Sequence, residues 1–252
     1  MPVNTVCEHA KCPNRGECFT NKTVSFLLLG DTCTRNCLFC GVQKGTPDPA
    51  VVDDSTAIIE TIKHFDLQYV VLTSVTRDDL PDGGAAAYAK VIQSIKQVKP
   101  QIKIEVLTPD FQGRYASVDL VCQQEIFVFN HNLELIPSIY KKYRPLGNFD
   151  LSLEILCYVK EKYPKLKVKT GIMVGLGETK EEVFELISLL SKKGIDSLTI
   201  GQYLQPSKKG AKVLRFVEPD EYEEYTQFGK DSSLKVVAGP LVRSSYMAHE
   251  VF

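Results

Sequence analysis

Ser25-Phe-Leu-Leu-Leu-Gly-Asp-Thr-Cys33-Thr-Arg-Asn-Cys37-Leu-Phe-Cys40 reads as a short apolar strand running straight into a C-x3-C-x2-C loop. Three thiolates at that spacing can hold three irons of a cubane iron–sulfur cluster and leave the fourth iron for another ligand. A cluster used only as an electron wire is usually closed by four cysteines. Zinc sites prefer C-x2-C knuckles with four ligands supplied in pairs, so C-x3-C suits them poorly.

Working outward, strands and helices alternate. Asp54–Phe65 has helical spacing, with Ile58, Ile59, Ile62 and Phe65 on one face. Tyr69–Val75, Lys103–Leu107, Ile126–Phe129, Val168–Val174 and Ser197–Leu204 read as further strands after Ser25–Leu29. Gly84–Val98, Tyr115–Cys122, Leu133–Tyr143, Leu151–Tyr163, Lys180–Lys193 and Pro219–Gly229 read as helices, and Lys235–Val242 as a last extended segment. About six βα units in a row predict an α/β fold with a parallel sheet and right-handed crossovers. Six are too few for an eight-stranded barrel, so the expectation is an open, partial (β/α)6 TIM-type barrel with its site at the C-terminal ends of the strands. The conspicuous polar motifs all fall at those ends: the cysteine loop, Thr73-Ser74, Pro109-Asp110, Asn130-His131-Asn132, Gly175–Glu178 and Gln202–Gln205.

A second triplet, Cys7, Cys12 and Cys18, precedes the first strand in a stretch without periodicity, so residues 1–24 read as a loop-like segment organised by metal. The chain has 252 residues, 44% hydrophobic and 24% charged, with a formal net charge of −1. That is ordinary for a globular protein and gives no sign of a nucleic-acid or anionic-membrane partner. No apolar run is long enough to span a membrane, and the start lacks the pattern of a targeting peptide. A cytosolic, reducing location is expected, which makes six of the eight cysteines metal ligands rather than disulfide partners. Cys122 and Cys157 read as buried structural thiols.

The C-x3-C-x2-C loop with Phe39 before its last cysteine resembles the radical S-adenosylmethionine (SAM) superfamily. That resemblance implies a 4Fe–4S cluster on Cys33, Cys37 and Cys40 whose fourth iron is chelated by SAM. One electron then cleaves SAM to a 5′-deoxyadenosyl radical. Cys7-Glu-His-Ala-Lys-Cys12-Pro-Asn-Arg-Gly-Glu-Cys18 closely resembles the auxiliary-cluster motif of the lipoyl synthase family. Similar blocks are Thr73-Ser-Val-Thr-Arg-Asp-Asp-Leu-Pro-Asp-Gly-Gly84, Pro109-Asp-Phe-Gln-Gly113, Phe129-Asn-His-Asn-Leu-Glu134, Gly201-Gln-Tyr-Leu-Gln-Pro-Ser207 and Gly239-Pro-Leu-Val-Arg-Ser-Ser-Tyr-Met-Ala248. The chain departs from the family at Gly210 (usually His), Leu135 (usually Thr) and Thr108 (usually Ile).

The resemblance implies a second 4Fe–4S cluster on Cys7, Cys12 and Cys18, completed by Ser245, with Ser244 as the alternative. It also implies SAM contacts from Phe39, Thr73, Ser74, Asn130, Gly175, Glu178, Gln202 and Leu204. His131 can be structural or functional, and Arg77-Asp78-Asp79 a solvated charge run or something tighter. Residues 1–24 would carry the auxiliary cluster, 25–206 the barrel and 207–252 the Arg-Ser-Ser-Tyr motif, with both terminal segments closing over the barrel mouth. The implied reaction inserts two sulfurs, at C6 and C8, into an octanoyl chain on a lysine of a lipoyl carrier protein or domain, such as a glycine cleavage H protein or a 2-oxoacid dehydrogenase E2 domain. The auxiliary cluster would be the sulfur source. An electron donor such as flavodoxin or ferredoxin and an iron–sulfur cluster carrier are implied as partners. Rival readings are a sulfur-inserting enzyme of the biotin synthase type, which lacks the N-terminal triplet and the Arg-Ser-Ser-Tyr motif, and a non-catalytic iron–sulfur or zinc protein.

Overall fold

The computed structural model describes residues 4–9, 12, 14–20, 22–50, 53–246 and 248–252, without the side chains at 7, 9, 15, 19 and 249. Two short helices, α1 (Val6–His9) and α2 (Arg15–Thr20), occupy what reads in sequence as a loop. They lead into β1 (Thr23–Leu28), two residues earlier than the apolar run suggests. The two-residue strands β2 (Thr32–Cys33) and β3 (Gln43–Lys44) pair with each other and bracket the second cysteine loop.

Then come α3 (Ser55–Phe65), β4 (Tyr69–Ser74), α4 (Ala85–Val98), β5 (Lys103–Leu107), α5 (Tyr115–Cys122), β6 (Val128–Asn130), α6 (Pro137–Tyr143) and α7 (Phe149–Lys162). The series closes with β7 (Lys167–Val174), α8 (Lys180–Lys192), β8 (Ser197–Gln202), α9 (Pro219–Asp231) and β9 (Lys235–Gly239). The large sheet has the order β1-β4-β5-β6-β7-β8-β9, and every neighbouring pair is parallel. β1 and β9 end the series unpaired with each other, so the barrel is open. The last extended segment thus becomes a seventh parallel strand, and residues 207–252 continue the sheet.

Alternation along the strands builds two layers. On β4, Val70 and Leu72 join Ile58, Ile62 and the other helical side chains in the main core, while Tyr69 and Val71 face inward. The helix expected from Leu133 starts only at Pro137. Glu134 sits at φ 71 and bridges to Ile172 of β7, and Pro137 then takes the first helical position, where its missing N–H costs nothing. Cys122 is buried as expected, whereas Cys157 is only partly so.

The barrel lumen is polar. Glu105 accepts hydrogen bonds from Tyr69 Oη (2.8 Å) and Asn130 Nδ2 (2.7 Å) and pairs with Lys169 (3.2 Å); Glu105 and Lys169 are fully buried. The C-terminal segment enters this lumen. Ser244 meets Asn132 at the C-terminal ends of the strands, and Ala248 packs on Tyr69 and Val71. The Phe252 ring then lies edge-on to Phe127 near the strand starts. Asn4 and Thr5 lie along the outer edge of β1, where Leu27 N donates to Asn4 O. The two chain ends therefore close the barrel along its open side and from within.

Candidate active site

Cys33, Cys37 and Cys40 line one cleft at the C-terminal ends of β1, β4, β5 and β6, together with Phe39, Thr73 and Ser74. Backbone hydrogen bonds hold the loop from several directions. Gly45 N donates to Cys33 O, Leu38 N to Tyr143 O, and Ala211 N to Leu38 O. Arg35 fixes it more firmly. Its guanidinium is 5% exposed, reaches Asp78 at 2.8 and 3.0 Å and Asp110 at 2.5 and 2.6 Å, and so ties the cluster loop to the loops after β4 and β5. Burial opposes a charged Asp110, but the hydrogen bonds and charge of Arg35 win and bring its carboxyl down to about 2. Arg77, 1% exposed, pairs with Asp79 and donates to Asp48 O. The charge run is thus a set of tight ion pairs.

The chemistry of this donor set fits a cationic cluster. The three thiols are free, and burial pushes Cys37 up and Cys40 up to about 11. Raised as they are, Cys37 and Cys40 give up their protons when a positive centre replaces them.

The polar lining fits a further ligand. Nine buried side-chain polar atoms lack a hydrogen-bond partner among the described residues, and five of them belong to this cleft: Ser74 Oγ, Thr108 Oγ1, His131 Nε2, Asn132 Oδ1 and Arg144 Nε. Native interiors rarely leave such atoms unmet, so their clustering points to a polar molecule that completes them. Burial and the nearby Arg144 charge lower His131 to about 4, which keeps the ring neutral at pH 7. Nδ1 lies 2.8 Å from Thr108 O and must donate to that carbonyl, so Nε2 presents a lone pair to the cleft. A larger, more open groove between α9 and β9 holds no cysteine and none of these unpartnered atoms.

Several expected contacts lie elsewhere. Asn130 faces the lumen, bound to Glu105. Glu178 accepts from Gly175 N (2.6 Å) and Leu176 N (3.0 Å). Gly175 is at φ +100, and a Cβ there would meet Gln202 and Arg215 O. Gln202 bonds inward to Val174 O, Arg215 O and Val217 N. These three residues form a joint that pins the segment after β8 to the strand ends, and Leu204 stands exposed beside it.

Cys12, Cys18 and Ser245 line a second, smaller cavity with Arg243 and Tyr246. The Cys7 side chain lies outside the described residues. The ends of the chain are joined here: Asn14 Nδ2 donates to Leu241 O (2.5 Å), and Tyr246 Oη to both Glu17 oxygens (3.1 Å). Ser244 does not line this cavity, since its Oγ accepts from Asn132, a residue of the first cleft. Consecutive serines therefore turn in different directions, one to Asn132 and the other to the second cavity. Gly201 makes this possible, because any Cβ there would run into the Val242 carbonyl.

Sequence reading passed over Arg35, Asp110, Asn132, Glu134 and Arg144 as site residues. The first four lie inside or beside the quoted motifs, whereas Arg144 sits in the break before α7 and carries no pattern of its own.

A family model for the radical SAM superfamily matches residues 27–190. A lipoyl synthase from Caldicellulosiruptor bescii is 50% identical over 98% of this chain and 85% of its own length. One from Caldanaerobacter subterraneus is 47% identical over 98% and 87%. This chain belongs to the lipoyl synthase family of the radical SAM superfamily. Members of this family use SAM and 4Fe–4S clusters, in agreement with the two cysteine-lined cavities. Among solved structures, the FeFe-hydrogenase maturase HydG from Carboxydothermus hydrogenoformans aligns with TM-score 0.68 at 13% identity, over 91% of this chain and 56% of its own. Streptococcus suis SuiB bound to its precursor peptide SuiA aligns with TM-score 0.64 at 14% identity, over 89% and 51%. This chain spans about half the length of those two, which speak for the fold alone. Among the described residues no helix is long and apolar enough to cross a membrane.

Proposed function

We propose that this enzyme is a lipoyl synthase that inserts two sulfur atoms, at C6 and C8, into an octanoyl chain amide-linked to a lysine of a lipoyl carrier domain. Those C–H groups are not acidic, so no side chain can remove their hydrogens by acid–base work. When bound, the cofactors supply a hydrogen-abstracting radical and the sulfur. The chain's own task is placement. Cys33, Cys37 and Cys40 are the ligands for the cluster that works with SAM, and Phe39, Thr73 and Ser74 the nearest of its expected SAM contacts. The lone pair of His131 and the Arg144 guanidinium are suited to hydroxyl and carboxylate groups of SAM. Gly175, Glu178, Gln202 and Leu204 act by shaping the rim, and Asn130 by holding Glu105 in the lumen.

Cys7, Cys12, Cys18 and Ser245 are the proposed ligands of the sulfur-donating cluster. A serine oxygen is a harder, weaker ligand for iron than a thiolate, which suits a cluster that gives up its sulfur. Residues 1–24, 25–206 and 207–252 serve as auxiliary-cluster segment, barrel and closing segment of one unit. Work in the cytoplasm, with flavodoxin or ferredoxin as electron donor and an iron–sulfur carrier for repair, completes the reading.

The observation that carries it is the pair of cavities linked through Ser244 and Ser245. The test is an anaerobic assay of reconstituted protein with SAM, reductant and an octanoyl-lysine peptide, read by mass spectrometry for the gain of two sulfurs. Cys37→Ala should abolish deoxyadenosine formation, and Cys12→Ala should keep it while losing sulfur insertion. Lipoyl product from Cys12→Ala would remove the sulfur-donor role.

A further inference from the structure

Ser207-Lys-Lys-Gly-Ala-Lys-Val-Leu-Arg-Phe216 carries four basic side chains and no acidic one. Arg215 is paired with Glu221 at 2.7 Å. Lys208, Lys209 and Lys212 are exposed, and none of the three makes an ion pair or hydrogen bond among the described residues. Like charges held together without counter-ions gain the fold nothing. Their place is telling: Ala211 N donates to Leu38 O at 2.9 Å, between Cys37 and Cys40, and Leu214 N to Gly175 O at 2.9 Å. The Tyr203 hydroxyl donates to Ala211 O at 2.8 Å. The lysines therefore stand on the rim of the radical-cluster cleft.

Apolar side chains lie among them. Leu38 (40% exposed), Leu204 (39%), Leu214 (58%) and Phe216 (70%) are four of the nine large hydrophobic residues exposed among the described residues. Exposed apolar groups edged by unpaired charge mark a surface that another protein covers.

We propose that Leu38 and residues 204–216 form the docking surface for the acyl carrier domain, and that this domain meets it with an acidic face. The proposal rests on the lipoyl synthase reading. Charge complementarity names the partner's sign. Reach names its place: a lysyl-octanoyl arm of roughly 13 bonds extends about 15 Å, so the carrier's body must sit on the rim beside the cleft. The chain's overall charge of −1 argues against a general polyanion site.

The test uses full-length reconstituted enzyme with dithionite as reductant, so that no protein donor is needed. The triple variant Lys208→Glu/Lys209→Glu/Lys212→Glu is compared with wild type on an octanoylated carrier domain and on a free octanoyl-lysine peptide. On the domain, kcat/KM should fall by at least about tenfold, and added salt, which slows the wild-type reaction by screening attraction, should speed that of the variant by screening repulsion. The peptide rate should be unchanged, which also shows that the variant folds and binds both cofactors. Phe216→Ser should weaken the domain reaction alone. Equal domain rates for variant and wild type would overturn the proposal. So would a defect that appears only when a flavoprotein donor replaces dithionite, since the surface would then belong to that donor. If wild type fails on the peptide as well, the lipoyl synthase reading falls instead.

Discussion

Replacing Gly201 by alanine should separate the two cavities functionally. Gly201 sits in β8 between Met173 and Gly239, and the C-terminal segment crosses over it. An added methyl would run into the Val242 carbonyl, lie 3.0 Å from its carbon and come 3.2 Å from the Arg243 guanidinium. Overpacking of this kind costs about 1–3 kcal/mol. β8 cannot yield, because it is paired on both sides within the sheet. The crossing segment can, because among the described residues its polar anchors next to the crossing are few: Asn14 to Leu241, Asn132 to Ser244, and Tyr246 to Glu17. Each such bond contributes about 0.5–1.5 kcal/mol, so the strain is comparable to what these bonds contribute next to the crossing, while the buried Ala248 and Val251 keep the far end of the segment in place.

Ser245 should therefore leave the second cavity while Cys33, Cys37 and Cys40 stay in place. In the anaerobic assay, Gly201→Ala should form deoxyadenosine near the wild-type rate. Its lipoyl product should fall about ten- to thirtyfold, the equivalent of 1.4–2 kcal/mol. Iron and sulfide counts should show a labile second cluster. Wild-type product yield would refute the reasoning, and loss of deoxyadenosine formation would show that the strand, not the segment, had moved.

Ser245→Ala should impair product formation at intact deoxyadenosine formation, whereas Ser244→Ala should loosen the link to Asn132 with a smaller loss; the reverse order would shift the proposed ligand by one position. His131 binds its proton near 4 in the folded protein against 6.5 ordinarily. Between those values the unfolded chain holds the proton and the folded one does not. Stability should thus be complete above pH 6.5 and fall by up to about 3 kcal/mol as pH drops to 4. His131→Gln should remove that part of the slope in urea titrations, and an unchanged slope would assign it to other groups. Lys169→Met leaves the buried Glu105 carboxylate uncompensated and should cost about 3–5 kcal/mol in denaturant unfolding, with much of it recovered by adding Glu105→Gln; a single-variant cost below about 1 kcal/mol would show that the pair is not tight.

The alternation of apolar strands and amphipathic helices was legible because burial on a parallel sheet imposes its period locally. Errors gathered where distant contacts override that period. Leu133–Ile136 continues a helical pattern but is held extended by β7, and Val6–His9 and Arg15–Thr20, inside the expected loop, fold into short helices beside β1. Asn130 and Gln202 stand in the expected motifs at strand ends, yet the pleat turns one into the lumen and internal hydrogen bonds consume the other.

The amino-acid sequence by itself determined the open α/β barrel, the two cysteine triplets and the family, because cysteine spacing and strand periodicity are properties of neighbours along the chain. Tertiary structure alone decided which serine faces the second cavity, how Arg35 gathers Asp78 and Asp110, which polar atoms face the cleft unmet, and that the C-terminal segment runs into the lumen. Those depend on the packing of residues far apart in the chain, and a one-residue step reverses the direction in which a side chain points.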